Sequence, residues 1–350
     1  MPIPSGSRAL AVAQSGFKRD FGEAMREVSD QVGAIVLREA GDDQQVSAQE
    51  ARRIARRSGE LVERVFVGSD GRSAFADDGV TPLSPYARIL NKWIVYVTVQ
   101  AVNRQRDWMK RTIPEDVFNW LAGASAPQRT VREMVEDHLR AGYVSTAVKN
   151  YHLNHHYKRN DDLLLDDRIW RAGADTRKQL DTTVATMIRS GESALSISRR
   201  AEQFLLPGRA ALRTNKPYGT DASYYGMRLG RTEITFAAGQ STLIAASLNP
   251  YVEGIKWNLS PSHPRTDICD GNAAGSPYAV DNVPTYPAHP FCMCNLTVVS
   301  VKNPSFVTDQ LRPHMEAGED APLTPASADN LLLMLLGLYL FSLARRVALA

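Results

Sequence analysis

The stretch 257–296, WNLSPSHPRTDICDGNAAGSPYAVDNVPTYPAHPFCMCNL, concentrates the side chains suited to chemistry. It holds all three cysteines of the chain, two of its seven histidines and three aspartates. His289, Cys292 and Cys294 form a His-x-x-Cys-x-Cys cluster on a Pro-flanked turn, and Cys269 stands 23 residues before Cys292. A loop that brings Cys269 back would gather one imidazole and three thiolates, a composition that suits tetrahedral zinc. Pro287 and Pro290 stiffen the turn, so less entropy is lost when it closes around an ion. His263, Asp267 and Asp270 are further candidate ligands. The same residues also read as a loop-rich knob held by buried thiols and proline packing without metal, since there is only one Cys pair and it is spaced Cys-x-Cys. Catalysis at the cluster is not expected. The chain has no His-Glu-x-x-His, and it lacks the Pro-Cys-x-x-Cys of a zinc deaminase.

Other clusters are less specific. His152, His155 and His156 precede Asp161, Asp162, Asp166 and Asp167. With Lys158 and Arg159 beside them, these read as a polar loop or helix start rather than an ion site. Arg52, Arg53, Arg56 and Arg57 form a basic run with i, i+4 pairs, and Arg199-Arg200 is a second basic pair. Such runs usually form a solvated helix face; they are also the candidates for contact with DNA phosphate. Arginine supplies 32 of the 41 basic residues. That favours bidentate phosphate or carboxylate contacts, and it equally fits a GC-rich genome. No Walker A loop, GxGxxG loop or GxSxG elbow occurs.

The elements that must position these residues are mostly helices. Residues 1–66 read as a helical region, with Phe17, Phe21, Met25 and Val28 at helical spacing, followed by Ile54, Leu61 and Val65. Breaker signals make 67–84 a linker. Ser84-Pro85 then opens a long helix with the apolar face Ile89, Leu90, Trp93, Ile94, Val97 and Ala101. The helical body 85–250 continues through helices near 114–121, 127–140, 168–190 and 193–206, and closes with an Ala-rich helix from Tyr224 to Leu248. Two strands, 251–259 and 296–301, flank the Cys/His stretch in a small α+β module, 251–301. Residues 302–330, with four prolines in 302–328, read as an extended tail. The final segment, 331–346, is an apolar helix. Its core, LLLMLLGLYLFSLA, is 14 residues, short of the roughly 20 needed to span a bilayer. Leu331, Leu335, Leu338 and Phe341 would face a partner, or a membrane surface with Arg345-Arg346 at the head groups. The expected fold class is therefore mainly α: a multi-helix body, a small irregular α+β Cys/His knob near the C-terminus, and a terminal apolar helix.

The chain's 350 residues, 43% hydrophobic and 23% charged, exclude a disordered or fibrous chain and a disulfide-stapled mini-protein. Net charge is +3, distributed as +2 over 1–150, +4 over 151–240 and −3 over 241–350. Three cysteines and a longest early apolar run of only Ala9 to Ala13 fit a protein made and kept in a reducing cytoplasm.

The order of motifs over residues 165–300 resembles the phage minor head protein family, with its Mu F-like or head morphogenesis domain. The matching pieces are Arg231-Thr232-Glu233, Ala237, Trp257, Asp267, Cys269, Gly275 and His289-Pro290-Phe291-Cys292-Met293-Cys294; the stretch Gly191 to Ala201 also fits. The resemblance implies a few-copy structural protein without catalytic residues. It would be made in the host cytoplasm and carried in the virion, inside the capsid near the portal. It would act in head assembly and in DNA packaging or ejection. Its partners would be the portal protein, other head proteins and packaged double-stranded DNA. On this reading Arg231 and Glu233 are expected to serve in a helix-surface or interhelix ion pair that positions the knob. Two alternatives stand beside it: a membrane-active ejection factor working through the terminal helix, and an enzyme of ADP-ribosyltransferase type. The latter would want a Ser-Thr-Ser strand and a Glu-x-Glu turn, and neither occurs.

Overall fold

In a computed structural model of the chain, the residues described are 6–40, 45–69, 71–123, 131–140, 165–206, 224–261, 263, 266–290 and 292–318. The histidine cluster at 152–156 with Asp161 and Asp162, and the apolar segment 331–346 with Leu331, Leu335, Leu338 and Phe341, lie outside them. Among the described residues the architecture is mainly helical, with one small two-stranded sheet near the C-terminus.

The helices are α1 (Ser7–Ala40), α2 (Ala48–Phe66), α3 (Pro85–Thr112), α4 (Glu115–Gly123), α5 (Val131–Arg140), α6 (Leu165–Arg189), α7 (Ala194–Leu205) and α8 (Tyr224–Ser247). Strand β1 (Val252–Asn258), helix α9 (Ile268–Ala274), strand β2 (Asn295–Ser300) and helix α10 (Pro304–Glu316) follow. Local chemistry explains several of the starts. Ser47 and Glu50 make a reciprocal capping box, with Ser47 Oγ accepting from the Glu50 N–H at 3.3 Å and Glu50 Oε2 accepting from the Ser47 N–H at 2.8 Å. At α3, Ser84 Oγ accepts from the Ala87 N–H, and Pro85 takes the first turn, where its missing N–H costs nothing.

Two cores form. The first is built from α1, α2, α6, α7, the start of α3 and most of α8. Its centre is a set of rings, Phe17, Phe21, Phe66 and Tyr86, with centroids 5.1 to 5.9 Å apart in edge-on and offset pairs. Glycines on α8 admit them. A Cβ on Gly230 would stand 2.0 Å from Phe17 Cζ, and one on Gly226 2.6 Å from Phe21 Cζ. Tyr86 hydroxyl donates to the Gly226 carbonyl at 2.6 Å. The second core collects Trp108, Met109 and Ile113 after the middle of α3, Val117 and Leu121 of α4, the end of α8, the sheet, the three cysteines and Leu311 of α10. Between the cores α3 and the end of α8 are tied by buried polar contacts, Ser241 Oγ to Thr98 Oγ1 and Asn249 Nδ2 to Gln105 Oε1, both 3.1 Å.

Three expected boundaries are corrected. The region 1–66 does not fold apart from the body 85–250, because the first core runs through both. Residues 67–84 are packed rather than a free linker: Ala74 and Phe75 are buried, and their N–H groups donate to Asp166 Oδ1 at 2.6 and 2.9 Å. Residues 304–316 are helical, not extended. Pro304 sits at the first turn, and Thr308 and Leu311 bury one face against the second core.

Strands β1 and β2 pair antiparallel, with Trp257 opposite Leu296 and Asn258 opposite Asn295. Residues 259–294 connect them, and this excursion carries the cysteines. The register therefore fixes both ends of the Cys/His stretch.

Candidate functional site: the Cys/His knob

Helix α9 delivers Cys269. Its N-cap is Asp267, whose carboxylate accepts from the Cys269 N–H at 2.7 Å, while Asp270 reaches back to the Asp267 N–H at 2.8 Å. This reciprocal capping turns the buried Cys269 side chain inward. From the other side the Pro-flanked turn delivers His289 and Cys292. Cys269 Sγ is 3.7 Å from Cys292 Sγ and 3.3 Å from His289 Nε2, and the three ligand atoms all lie within 4.8 Å of one another. Cys294 is also buried, but it stands outside that tight group. The three cysteines are unbridged. Three of the four predicted ligands are thus assembled, and the fourth is adjacent.

The electrostatics of the group are shared. Hydrogen bonds from its two thiol neighbours, opposed by partial burial, pull Cys294 down to about 2. Hydrogen bonding to those same neighbours, reinforced by burial, pushes Cys269 far up. A cluster like this gives up one proton readily and holds the next, unless a cation offsets the accumulating negative charge.

The knob is seated on α8. Thr235 Oγ1 donates to the Cys292 carbonyl at 3.2 Å and accepts from Gln14 Nε2 of α1 at 2.8 Å. Arg231 Nη2 reaches Met293 Sδ at 3.1 Å, with Gln14 Oε1 at 3.4 Å. The ring of Tyr286 lies on Gly239, where a Cβ would come within 2.1 Å of it, and its hydroxyl donates to the Cys294 carbonyl at 2.6 Å. Trp257 packs edge-on against Tyr286, centroids 5.1 Å apart, inside the second core. Pro290 is buried at the turn.

His263, Asp267 and Asp270 form a second group within 4.8 Å. His263 Nε2 is 2.9 Å from Asp270 Oδ2, and this contact raises the His263 pKa. The group is accounted for by the α9 cap and its neighbouring imidazole.

Of the expected ion pairs, Glu233 makes an interhelix one, with Arg168, while Arg231 and Glu233 do not pair with each other. Two residues apart on a helix, they point to different sides. Arg231 touches the knob, whereas Glu233 is buried toward the body. There Arg168 Nη1 is 2.5 Å from its Oε1, and His138 Nε2 stands 3.3 Å from its Oε2, near enough for charge attraction but poorly angled for a hydrogen bond. Burial raises the Glu233 pKa, but the Arg168 charge and the His138 ring outweigh it and leave the group below its ordinary value. Sequence reasoning missed Arg168 and His138, 65 and 95 positions from Glu233, and Gln14, 217 positions from Arg231. Only the glycines of α8 signalled how closely other elements approach it.

The arginine run is split. Arg53 and Arg57 both reach Glu39 of α1, each at 2.6 Å, and Arg200 pairs with Glu192 at 3.1 Å, so all three are engaged within the chain. Arg52, Arg56 and Arg199 are exposed. Comparison with protein-family models, with curated proteins and with solved structures returns no match.

Proposed function

We propose that this chain is a minor head protein of a double-stranded DNA phage. It would bind the portal inside the capsid and act in head assembly and in DNA packaging or ejection. One observation carries the reading: the order of Arg231-Thr232-Glu233, Trp257, Asp267-x-Cys269 and His289-Pro290-x-Cys292-x-Cys294 along the chain. The packing is in keeping with it. Helix α8, β1, α9, the Cys turn and β2 adjoin one another, and Arg231 and Thr235 of α8 contact the turn. Exposed Arg52, Arg56 and Arg199 would supply phosphate contacts that position DNA without reading bases. No catalytic role is assigned to any residue.

The test is co-purification of the full chain with the portal protein encoded beside it, followed by native mass spectrometry. A complex of defined stoichiometry supports the reading. A monodisperse monomer with no portal bound overturns it. A second reading, membrane-active ejection, rests on the apolar sequence of 331–346. Among the described residues no helix is long and apolar enough to cross a membrane. Deleting 331–350 separates the two roles: loss of liposome binding favours the membrane reading, and loss of portal binding favours the head reading.

A further inference from the structure

We infer that Cys269, His289, Cys292 and Cys294 hold a structural zinc ion that closes the knob. The spacing of the donors is the first ground. Tetrahedral zinc with Zn–S bonds of about 2.3 Å separates two sulfurs by about 3.8 Å, and a sulfur and a nitrogen by about 3.6 Å. The Cys269–Cys292 and Cys269–His289 separations are 3.7 and 3.3 Å. Two buried thiols and an imidazole already stand at ligand-to-ligand distance with no disulfide between the sulfurs.

The histidine is the second ground. His289 Nδ1 lies 2.9 Å from the Pro290 carbonyl, which can only accept, so Nδ1 carries the hydrogen. Nε2 is therefore the ring nitrogen turned toward Cys269, at 3.3 Å. A backbone carbonyl that fixes the tautomer in this way is the usual outer partner of a metal-bound histidine. Asp267 Oδ2 also lies 3.3 Å from Nε2.

The third ground is the fourth donor. Cys294, two residues after Cys292, is buried at 1% exposure, and it is assigned as the closing ligand. Three thiolates and one imidazole select zinc over magnesium or calcium, which take oxygen ligands. Four protein ligands leave no open position, so the ion is structural. It would join α9 to the turn and to β2, and through the Cys292 carbonyl to Thr235 of α8.

The experiment uses the full chain, expressed with zinc and purified without chelator. Native mass and elemental analysis are expected to give one zinc per chain. That zinc is lost in Cys269→Ser, Cys292→Ser and His289→Ala and kept in Asp270→Asn. Because the cysteine variants could misfold, the deciding measurement is made on the unaltered chain: cobalt exchanged for zinc should show an intense thiolate-to-cobalt charge-transfer band and a tetrahedral visible spectrum. Absence of metal, cobalt bound without the thiolate band, or an intact mass two hydrogens short from a Cys269–Cys292 disulfide would each overturn the zinc. Zinc content is blind to whether the chain binds a portal, so the two results are read separately.

Discussion

Replacing Glu233 by glutamine removes one negative charge from a site where water cannot compensate. The Glu233 side chain is 4% exposed and that of Arg168 14%, so both charges of the pair are largely withdrawn from solvent. Glutamine keeps the shape and an acceptor oxygen for Arg168, but leaves the guanidinium buried against a neutral group. Breaking a buried pair by removing one partner costs about 3–5 kcal/mol, against at most about 1 kcal/mol for an exposed pair. The assay is urea unfolding followed by far-ultraviolet circular dichroism on Glu233→Gln, on Arg168→Met and on a double Glu233→Leu/Arg168→Met variant. Each single change should lose several kcal/mol. The double variant should lose clearly less than their sum, because it strands no charge. The pH dependence has a definite sign. The folded pKa of Glu233 lies below the unfolded value, so its stabilisation is complete above the ordinary glutamate range and is lost as pH falls through the lower folded value. The gap between wild type and Glu233→Gln should therefore close on acidification. A single-variant loss below about 1 kcal/mol, or a double variant equal to the sum of the singles, would refute a desolvated, coupled pair.

Further substitutions probe the supports of the site. Gly230→Ala places a methyl group in the Phe17 ring; overpacking should lower stability by about 1–3 kcal/mol in urea melts, despite alanine's better helix propensity. Asp20→Asn weakens contacts to Lys92 Nζ at 2.8 Å and the Trp93 indole N–H at 3.0 Å, for a loss of roughly 1–2 kcal/mol and a changed Trp emission. Ser47→Ala removes the α2 cap and should cost about 0.5–2 kcal/mol, with faster amide exchange confined to the first turn of α2.

Where the sequence was legible, one local pattern decided the structure. The 3.6-residue apolar stripe of α1, the Ser84-Pro85 start of α3 and the strand run at 251–259 needed no distant partner to be read. Helix α9 was hidden because it is seven residues long with Gly271 inside it; its signal was the Asp267-x-x-Asp270 cap, a form of the capping box without serine or glutamate. The α10 segment reads as extended from its proline composition, although Pro304 stands where a helix accepts proline. At the site, the gathering of Cys269, His289 and Cys292 followed from residue type and spacing. The fate of charged groups did not: Glu39, which holds Arg53 and Arg57, belongs to another helix, and Glu233 finds its partners across the bundle.

Helices α3 and α8 each contribute to both cores, and buried polar contacts join α3 to the end of α8 where the cores meet. At 28 and 24 residues they rise about 42 and 36 Å. They act as two coupled struts. A displacement of the knob should therefore be felt at the aromatic cluster around Phe17, because the same two helices line both. The same continuity ties the halves together in failure: neither core can melt without breaking helices the other needs, so the chain should yield in one cooperative event.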